Sequence, residues 1–387
     1  MPGLPGGVFN QSKFEFPVSV SRRRSIQARV FWSSIDAILL NSLSSNCLRM
    51  GGIDELFYFG TRSMAIEVVL DTYCYGDLKY RIELRKKDSE LFVFREKLGV
   101  DEEDSLYFEA SEMEDSGLVV QASFVLDERD ARKPTAFPNK PVIGQFFTGT
   151  NRTLPPLRGP YRYLIGLTLE FLSTLKFYSF STPFLTEPSF SDQISLGAFG
   201  TNLPSTLSKI WETQENRDEI RSWLSELIPI QLENLSFPKG PDGRQYLVLH
   251  ESPSQQYSAK SVSDGTLRFL AILAALYTER PSIAVFEDIE IGVHPTRIHT
   301  LVELLTSRAR KKSAHQVIIT THSPLFVHYL GLESLDGAIL IFRNDSGASA
   351  ASPLTSLPHL QESLGSADAG ALFTTGWMEM AAESMEA

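Results

Sequence analysis

The sequence predicts an α/β fold built on a parallel core sheet, with a flanking antiparallel sheet and a helical lid insertion. Three stretches carry that expectation. Ile283-Ala-Val-Phe286 is an apolar, strand-forming run that ends on Glu287 and Asp288, with Glu290 just beyond. Upstream, Ser261-Val-Ser-Asp-Gly-Thr-Leu-Arg268 is a Ser/Gly turn that opens the apolar helix Phe269 to Tyr277. Downstream, Val317-Ile-Ile-Thr320 is a second strand-forming run, and it leads into Thr321-His322-Ser-Pro324. In an open parallel sheet, ligands bind beyond the carboxyl ends of the strands. Unpaired acids are costly to bury at such a place, and a metal or a phosphate-linked water would offset that cost. Solvated acids at a strand end are the plainer alternative.

The elements are taken in chain order. Residues 1–47 form an atypical N-terminal segment: Pro2, Gly3, Pro5, Gly6 and Gly7 make its start loop-like, Ser21-Arg-Arg-Arg-Ser25 comes next, and helical character is confined to Ile35 to Leu43. Met64 to Leu70, Leu78 to Leu84, Leu91 to Phe94 and Leu118 to Leu126 alternate in part and are separated by polar turns, which predicts the antiparallel sheet. The lid insertion is expected over about 127–250. It opens on a loop-rich crossing that holds Pro134, Pro138, Pro141, Pro155, Pro156 and Pro160. Tyr161 to Tyr178 reads as a helix or a helix followed by a strand, its aromatics serving the core. Asn202 is placed to cap a helix with Pro204 near its start, and Ile220, Trp223, Leu224 and Leu227 form the apolar stripe of another. Gln231 to His250 reads as a hairpin folded at Gly240-Pro-Asp-Gly243. Ala338 to Phe342 is the last strand expected, and a polar tail covers 379–387.

Composition narrows the function. With 42% hydrophobic residues in 387, the chain can bury a large core. A formal net charge of -11 argues against bulk nucleic-acid binding, so any such contact rests on local patches, Arg22-Arg-Arg24 or Arg308-Ala-Arg-Lys-Lys312, each otherwise a solvated surface. Cys47 and Cys74 give neither a disulfide framework nor a metal-ligand cluster. No apolar run reaches the length of a membrane span, and no secretory signal opens the chain, so a cytoplasmic location is expected.

Taken in order, the three motifs resemble the nucleotide-binding head of the ABC and SMC ATPases, and within them the compact bacterial AAA-type ATPases related to the overcoming-lysogenization-defect group. Gly51-Gly-Ile-Asp-Glu-Leu-Phe57, Gly200-Thr-Asn-Leu203 and the stretch from Leu364-Gly365 to Gly376 are similar to the connecting segments of that family, so the resemblance spans 48–378. It implies a P-loop NTPase fold, ATP and Mg²⁺ as ligands, and a homodimer in which two heads sandwich the nucleotides. An effector protein or DNA would be a further partner, no membrane is involved, and the role would lie in DNA maintenance or antiphage defence. No sustained heptads interrupt the middle of the chain, which points to a head without the long coiled-coil arm of the SMC and break-repair proteins.

The resemblance also assigns residues. Ser263, Asp264 and Gly265 correspond to the signature turn that binds the γ-phosphate held by the opposite subunit; taken alone, they are a helix cap. Glu287 corresponds to the carboxylate that holds Mg²⁺ and Asp288 to the general base, where the family usually has glutamate. Ile289 stands where the family has proline. Glu290 and His294 map onto the loop that communicates across the dimer, with a helix entry before Pro295 as the alternative for His294. His322 corresponds to the switch histidine that contacts the γ-phosphate. The family's phosphate loop, G-x-x-x-x-G-K-S/T, has no counterpart: Gly7-Val-Phe-Asn-Gln-Ser-Lys-Phe14 comes nearest, with Lys13 in the lysine position, Ser12 for the second glycine and Phe14 for the hydroxyl. A truncated or frameshifted start to the domain is therefore expected. Two functions stay open, an ATP-hydrolysing head and a catalytically inactive head that acts as a protein-interaction module.

Overall fold

The computed structural model describes residues 63–386 apart from 73–75, 88–89, 101–105, 114–116, 123–134, 150, 152–153, 155–158, 228–231, 253, 279–282, 310–315 and 344–348. The segment 1–47, Lys13, Gly51 to Phe57 and both cysteines therefore lie outside the described residues. The chain divides into two compact units. One holds the described residues of Met1–Ser173 with Ile341–Ala351, and the other Thr174–Leu340 with Ser352–Ala387.

The first unit is led by six strands, β1 (Ser63–Thr72), β2 (Gly76–Lys87), β3 (Glu90–Val100), β4 (Leu106–Met113), β5 (Gly117–Ala122) and β6 (Thr135–Ala136). They pair in sequence order, every pair antiparallel. Alternation is the cause: Ile66, Val68 and Leu70 on β1 and Leu78, Tyr80, Ile82 and Leu84 on β2 are all buried. β4 has no counterpart in the strands read from sequence; among its described side chains Phe108 and Ala110 are buried, and Glu109, Ser111 and Glu112 make its sequence polar.

The proline-rich crossing carries a helix that sequence does not mark, α1 (Val142–Thr148). Its partner is remote. Fully buried Glu96 accepts the N–H groups of Val142 (2.6 Å) and Ile143 (2.9 Å) and the Tyr80 hydroxyl (3.1 Å). A carboxylate at a helix N-terminus satisfies donors that have no intrahelical acceptor. Burial nonetheless raises the Glu96 pKa from 4.5 to about 7, opposed by those same hydrogen bonds. Gln145 secures the approach to α1, accepting from Phe137 N–H and donating to the carbonyls of Phe137 and Lys140. Helix α2 (Gly159–Thr174) comes next and runs straight into β7 (Leu175–Tyr178), the helix-plus-strand reading of this stretch.

The second unit is built on β7, β11 (Ile283–Phe286) and β12 (Gln316–Ile319) in the order β12-β11-β7, both pairs parallel. Middle strand β11 is buried at all four residues, as its unbroken apolar sequence requires. β7 falls inside 127–250, so this stretch is not wholly lid: it supplies a strand of the core. After β7 come α3 (Thr182–Leu185), α4 (Leu203–Ile210) and α5 (Gln214–Leu227), the last burying Ile220, Leu224 and Leu227 while Trp223 is partly covered. Asn202 occupies the N-cap of α4 but its side chain does not cap: the residue sits at φ 67 and its amide donates to Ser195 O.

β8 (Asn234–Ser236), β9 (Val248–Ser252) and β10 (Gln255–Ser258) form a separate antiparallel sheet. The hairpin between β8 and β9 closes at Gly240 to Gly243, with Gly240 N–H donating to Arg244 O. Helix α6 (Asp264–Leu276) buries ten of its residues, Leu267 and Phe269 to Leu276 among them, and α7 (Ile298–Ala309) packs Leu301 and Leu305 into the same core. α8 (Pro324–Tyr329), α9 (Leu332–Leu335), the two-stranded sheet β13 (Ile339–Arg343) and β14 (Ser349–Pro353), α10 (Leu360–Leu364), α11 (Ala369–Thr374) and α12 (Trp377–Glu386) complete the chain. The stretch expected as a polar tail is mostly helix α12, anchored by buried Met378 and Ala382. Among the described residues, no helix is long and apolar enough to cross a membrane.

Candidate functional site

Glu287 and Asp288 stand where the buried strand β11 meets the surface. Phe286 fixes that end of the strand, its ring stacked on Tyr178 at 5.3 Å and tilted against Phe180 at 6.1 Å. The ladder continues one step: Glu287 N–H donates to Tyr178 O on one side, and Thr320 N–H donates to Phe286 O on the other, both at 3.0 Å. Then the chain turns. Asp288 adopts φ 46, the left-handed region that short polar side chains tolerate best. Its N–H donates to Thr320 Oγ1 at 3.0 Å, and Ile289, 5% exposed, pins the turn from below. Glu287, Asp288 and Glu290 are half-buried.

His322 joins this group from the end of β12. Its backbone N–H donates to Glu290 Oε1 at 2.9 Å, and its Nε2 lies 3.9 Å from Asp288 Oδ1. The imidazole itself is open to solvent, with 82% of the side chain exposed. Glu290 Oε2 is buried and has no hydrogen-bond partner among the described residues.

Ser263, Asp264 and Gly265 form the N-terminus of α6. The Ser263 hydroxyl caps the helix, accepting Thr266 N–H at 3.3 Å and pairing with Thr266 Oγ1 at 2.8 Å. Gly265 lies directly on Gly292, four residues beyond Asp288. A Cβ on Gly265 would overlap the Gly292 carbonyl oxygen, and a Cβ on Gly292 would sit 3.5 Å from Gly265 Cα. The helix start and the loop behind the acids thus touch backbone to backbone. His294 ends that loop as the N-cap of a short 3₁₀ turn, Pro295–Arg297, its Nδ1 engaged with Thr296. Its ring is committed to the helix entry and is not gathered with the acids.

Two residues that sequence leaves out belong to this arrangement. Thr320 reads from sequence only as strand, yet it supplies the acceptor that orients Asp288. Arg268 reads only as helix opening, yet it lines a crevice with Tyr178, Phe180, Phe286, Glu287 and Asp288. A polar residue at the carboxyl end of the neighbouring strand is the available signal for Thr320. Arg268 has one too: a lone cation at the start of an apolar helix.

The donor set suits a hard divalent cation bound jointly with phosphate. Among the described residues no cluster of three His, Cys, Asp or Glu forms a complete cage. Mg²⁺ needs none, since in phosphoryl-transfer sites it takes one or two carboxylates and completes its shell with waters and phosphate oxygens. Carboxylates at a strand end and an unsatisfied Glu290 oxygen fit that pattern.

Residues 196–328, about a third of the chain, match the family described as "AAA domain, putative AbiEii toxin, Type IV TA system". The matched segment holds Ser263 to Gly265, Glu287, Asp288, His294 and His322. That segment is similar to the AAA domain which the family describes. Among curated proteins no sequence matches. Solved structures similar to the chain include an SMC head bound to the C-winged helix domain of ScpA, at 10% identity, TM-score 0.47, 86% of this chain and 89% of that one. Another is an SMC head with an extended coiled coil bound to the C-terminal domain of ScpA, from Pyrococcus furiosus, at 10% identity, TM-score 0.45, 87% of this chain and 90% of that one. A third is an SMC head domain from Thermotoga maritima, at 9% identity, TM-score 0.28, 71% and 74%. With TM-scores this low, these likenesses carry no argument about function.

Proposed function

We propose that the chain binds ATP with Mg²⁺ and hydrolyses it to ADP and phosphate at the carboxyl ends of β7, β11 and β12. The observation that carries this reading is Asp288, held in a left-handed turn by Thr320 with His322 3.9 Å from its carboxylate. A carboxylate so fixed can accept a proton from water as the water oxygen attacks the γ-phosphorus and the bond to the β-phosphate oxygen breaks. Glu287 would hold Mg²⁺, whose charge would offset that on the phosphates. His322, on its exposed side, would donate to a γ-phosphate oxygen as charge builds there. Ser263, Asp264 and Gly265 are exposed or half-exposed and would meet the nucleotide of a second head in a homodimer. The helix end and close backbone approach at Gly265 suit an anion. The proposal extends to a role in antiphage defence or DNA maintenance, with an effector protein or DNA as partner and a cytoplasmic setting; the family's description, "putative AbiEii toxin, Type IV TA system", names none of these.

The test is equilibrium binding of Mg-ATP to the chain and to Asp288→Asn. Asparagine tolerates the left-handed backbone, so the variant keeps the turn and loses only the base. Micromolar binding by both, with turnover in the parent and retained nucleotide in the variant, is the expected result. Absence of binding at millimolar ATP would sink the reading. A second reading then applies, a catalytically inactive head that pairs with an intact one or with an effector protein.

A further inference from the structure

Arg268 is on α6, one turn beyond Asp264, and its side chain crosses the loop behind the acids: a Cβ on Gly292 would lie 3.2 Å from Arg268 Cδ and 3.7 Å from Nε. The residue is half-buried and lines a crevice together with Tyr178, Phe286, Glu287 and Asp288. It makes no hydrogen bond and no ion pair among the described residues. Other arginines of the same unit are used by the fold: Arg217 donates to Trp211 O and Gln214, Arg244 pairs with Asp242, and Arg308 donates to Leu276 O.

None of the Arg268 nitrogens is sealed from solvent, so the guanidinium is open to a ligand. Burial disfavours its charged form, with Asp264 the compensating charge. As an i,i+4 helix pair, Asp264 returns only tenths of a kcal/mol. Its five N–H donors have no protein acceptor among the described residues, and beside the carboxyl ends of two parallel strands they are placed to meet an anion that arrives from outside. The planar fork matches the oxygens of a phosphate, which it can grip in bidentate fashion. Among the residues that line the crevice, Arg268 is the one cation.

We propose that Arg268 contacts a phosphoryl group of the bound nucleotide, supplying a cation that the described part of the site otherwise lacks. This rests on the nucleotide reading of the site and names the side chain that meets the phosphates. Arg268 then links three features, because its stem lies on Gly292, Gly292 lies on Gly265, and it lines one crevice with Glu287 and Asp288.

The experiment titrates the full chain with Mg-ATP and separately with Mg-tripolyphosphate, by calorimetry and by thermal midpoint, in the parent, Arg268→Ala, Arg268→Lys and the exposed-charge control Lys239→Ala. Loss of a charge-assisted bidentate contact is expected to weaken both ligands by about tenfold or more in Arg268→Ala, with partial recovery in Arg268→Lys. Lys239→Ala should match the parent. Tripolyphosphate should raise the thermal midpoint of the parent and not that of Arg268→Ala. Equal affinities in parent and Arg268→Ala overturn the proposal and leave ATP binding standing. Arg268-dependent tripolyphosphate binding without any gain for ATP supports the phosphate contact and removes the nucleotide reading. Binding of neither ligand by the parent overturns both. Should Arg268→Ala fail to fold, Arg268→Lys carries the test: it keeps the charge and loses the fork, and affinity equal to the parent refutes the contact.

Discussion

Gly265 and Gly292 meet backbone to backbone, joining the start of α6 to the loop beyond the acids; a Cβ at Gly265 would collide with the Gly292 carbonyl. Two effects then oppose each other in Gly265→Ala. Alanine favours a helix by roughly 1 kcal/mol over glycine. Overlap with a backbone carbonyl, which cannot rotate away, costs about 1–3 kcal/mol. The overlap is the larger, so Gly265→Ala is expected to lower the thermal midpoint and to weaken any ligand that spans both segments. A rise in the midpoint, as helix propensity alone would give, would show that the contact is loose.

Thr320 and Asp288 offer a cleaner probe of the turn. Thr320→Val keeps the shape of the side chain and removes the oxygen that accepts Asp288 N–H at 3.0 Å. A part-buried donor left unsatisfied costs about 1–3 kcal/mol, so hydrogen exchange at the Asp288 amide is expected to quicken about tenfold or more. Thr320→Ser restores the oxygen and should restore protection. Equal exchange in all three would mean that Thr320 does not hold the turn.

Sequence makes some of this legible and hides the rest for definite reasons. Period-2 alternation exposes β1, β2 and β3, while β5 shows as a short apolar run whose Leu118, Val119 and Val120 are all buried. β4 escapes, since Glu109, Ser111 and Glu112 break up its apolar pattern in the sequence. Helix α1 escapes for another reason: the group that satisfies its N-terminus, Glu96, is 46 residues away in sequence. At the site, the order of turn, acids and histidine is readable, because each ends an element with its own local pattern. The left-handed Asp288, the Thr320 acceptor and the Gly265–Gly292 contact are products of tertiary placement. They have no local signal.

Arg308 shows how a basic run misleads. Sequence groups it with Arg310 to Lys312 as a solvated or nucleic-acid-facing patch. In the fold it is 14% exposed, donates to Leu276 O at 2.8 Å and lies 3.9 Å over the Tyr277 ring, with Glu219 at 3.5 Å. It ties the ends of α6 and α7 to α5. Arg308→Lys keeps the charge but loses the planar stacking and the directed donor. A loss of about 1–3 kcal/mol in denaturant unfolding is expected, with little change in the salt dependence of any nucleic-acid binding. The reverse pattern, unchanged stability with weakened binding, would return Arg308 to the surface.

Glu96 gives stability a pH dependence. Its pKa is raised from 4.5 to about 7, chiefly by burial, while the N–H groups of Val142 and Ile143 pull it down. Between pH 4.5 and 7 the folded state therefore holds a proton that the unfolded state has released. The stabilising contribution of that proton is complete below pH 4.5 and is lost as pH rises through 7, by roughly 3 kcal/mol if the whole interval counts. Glu96→Gln carries no titrating proton. It is expected to be the less stable protein at about pH 5, since its amide cannot accept from both Val142 and Ile143, and to close much of the gap by about pH 8. The measurement is urea unfolding of both proteins from about pH 5 to 8. A constant difference across that range would mean that Glu96 titrates near its ordinary value, with its charge fully compensated by the N-terminus of α1.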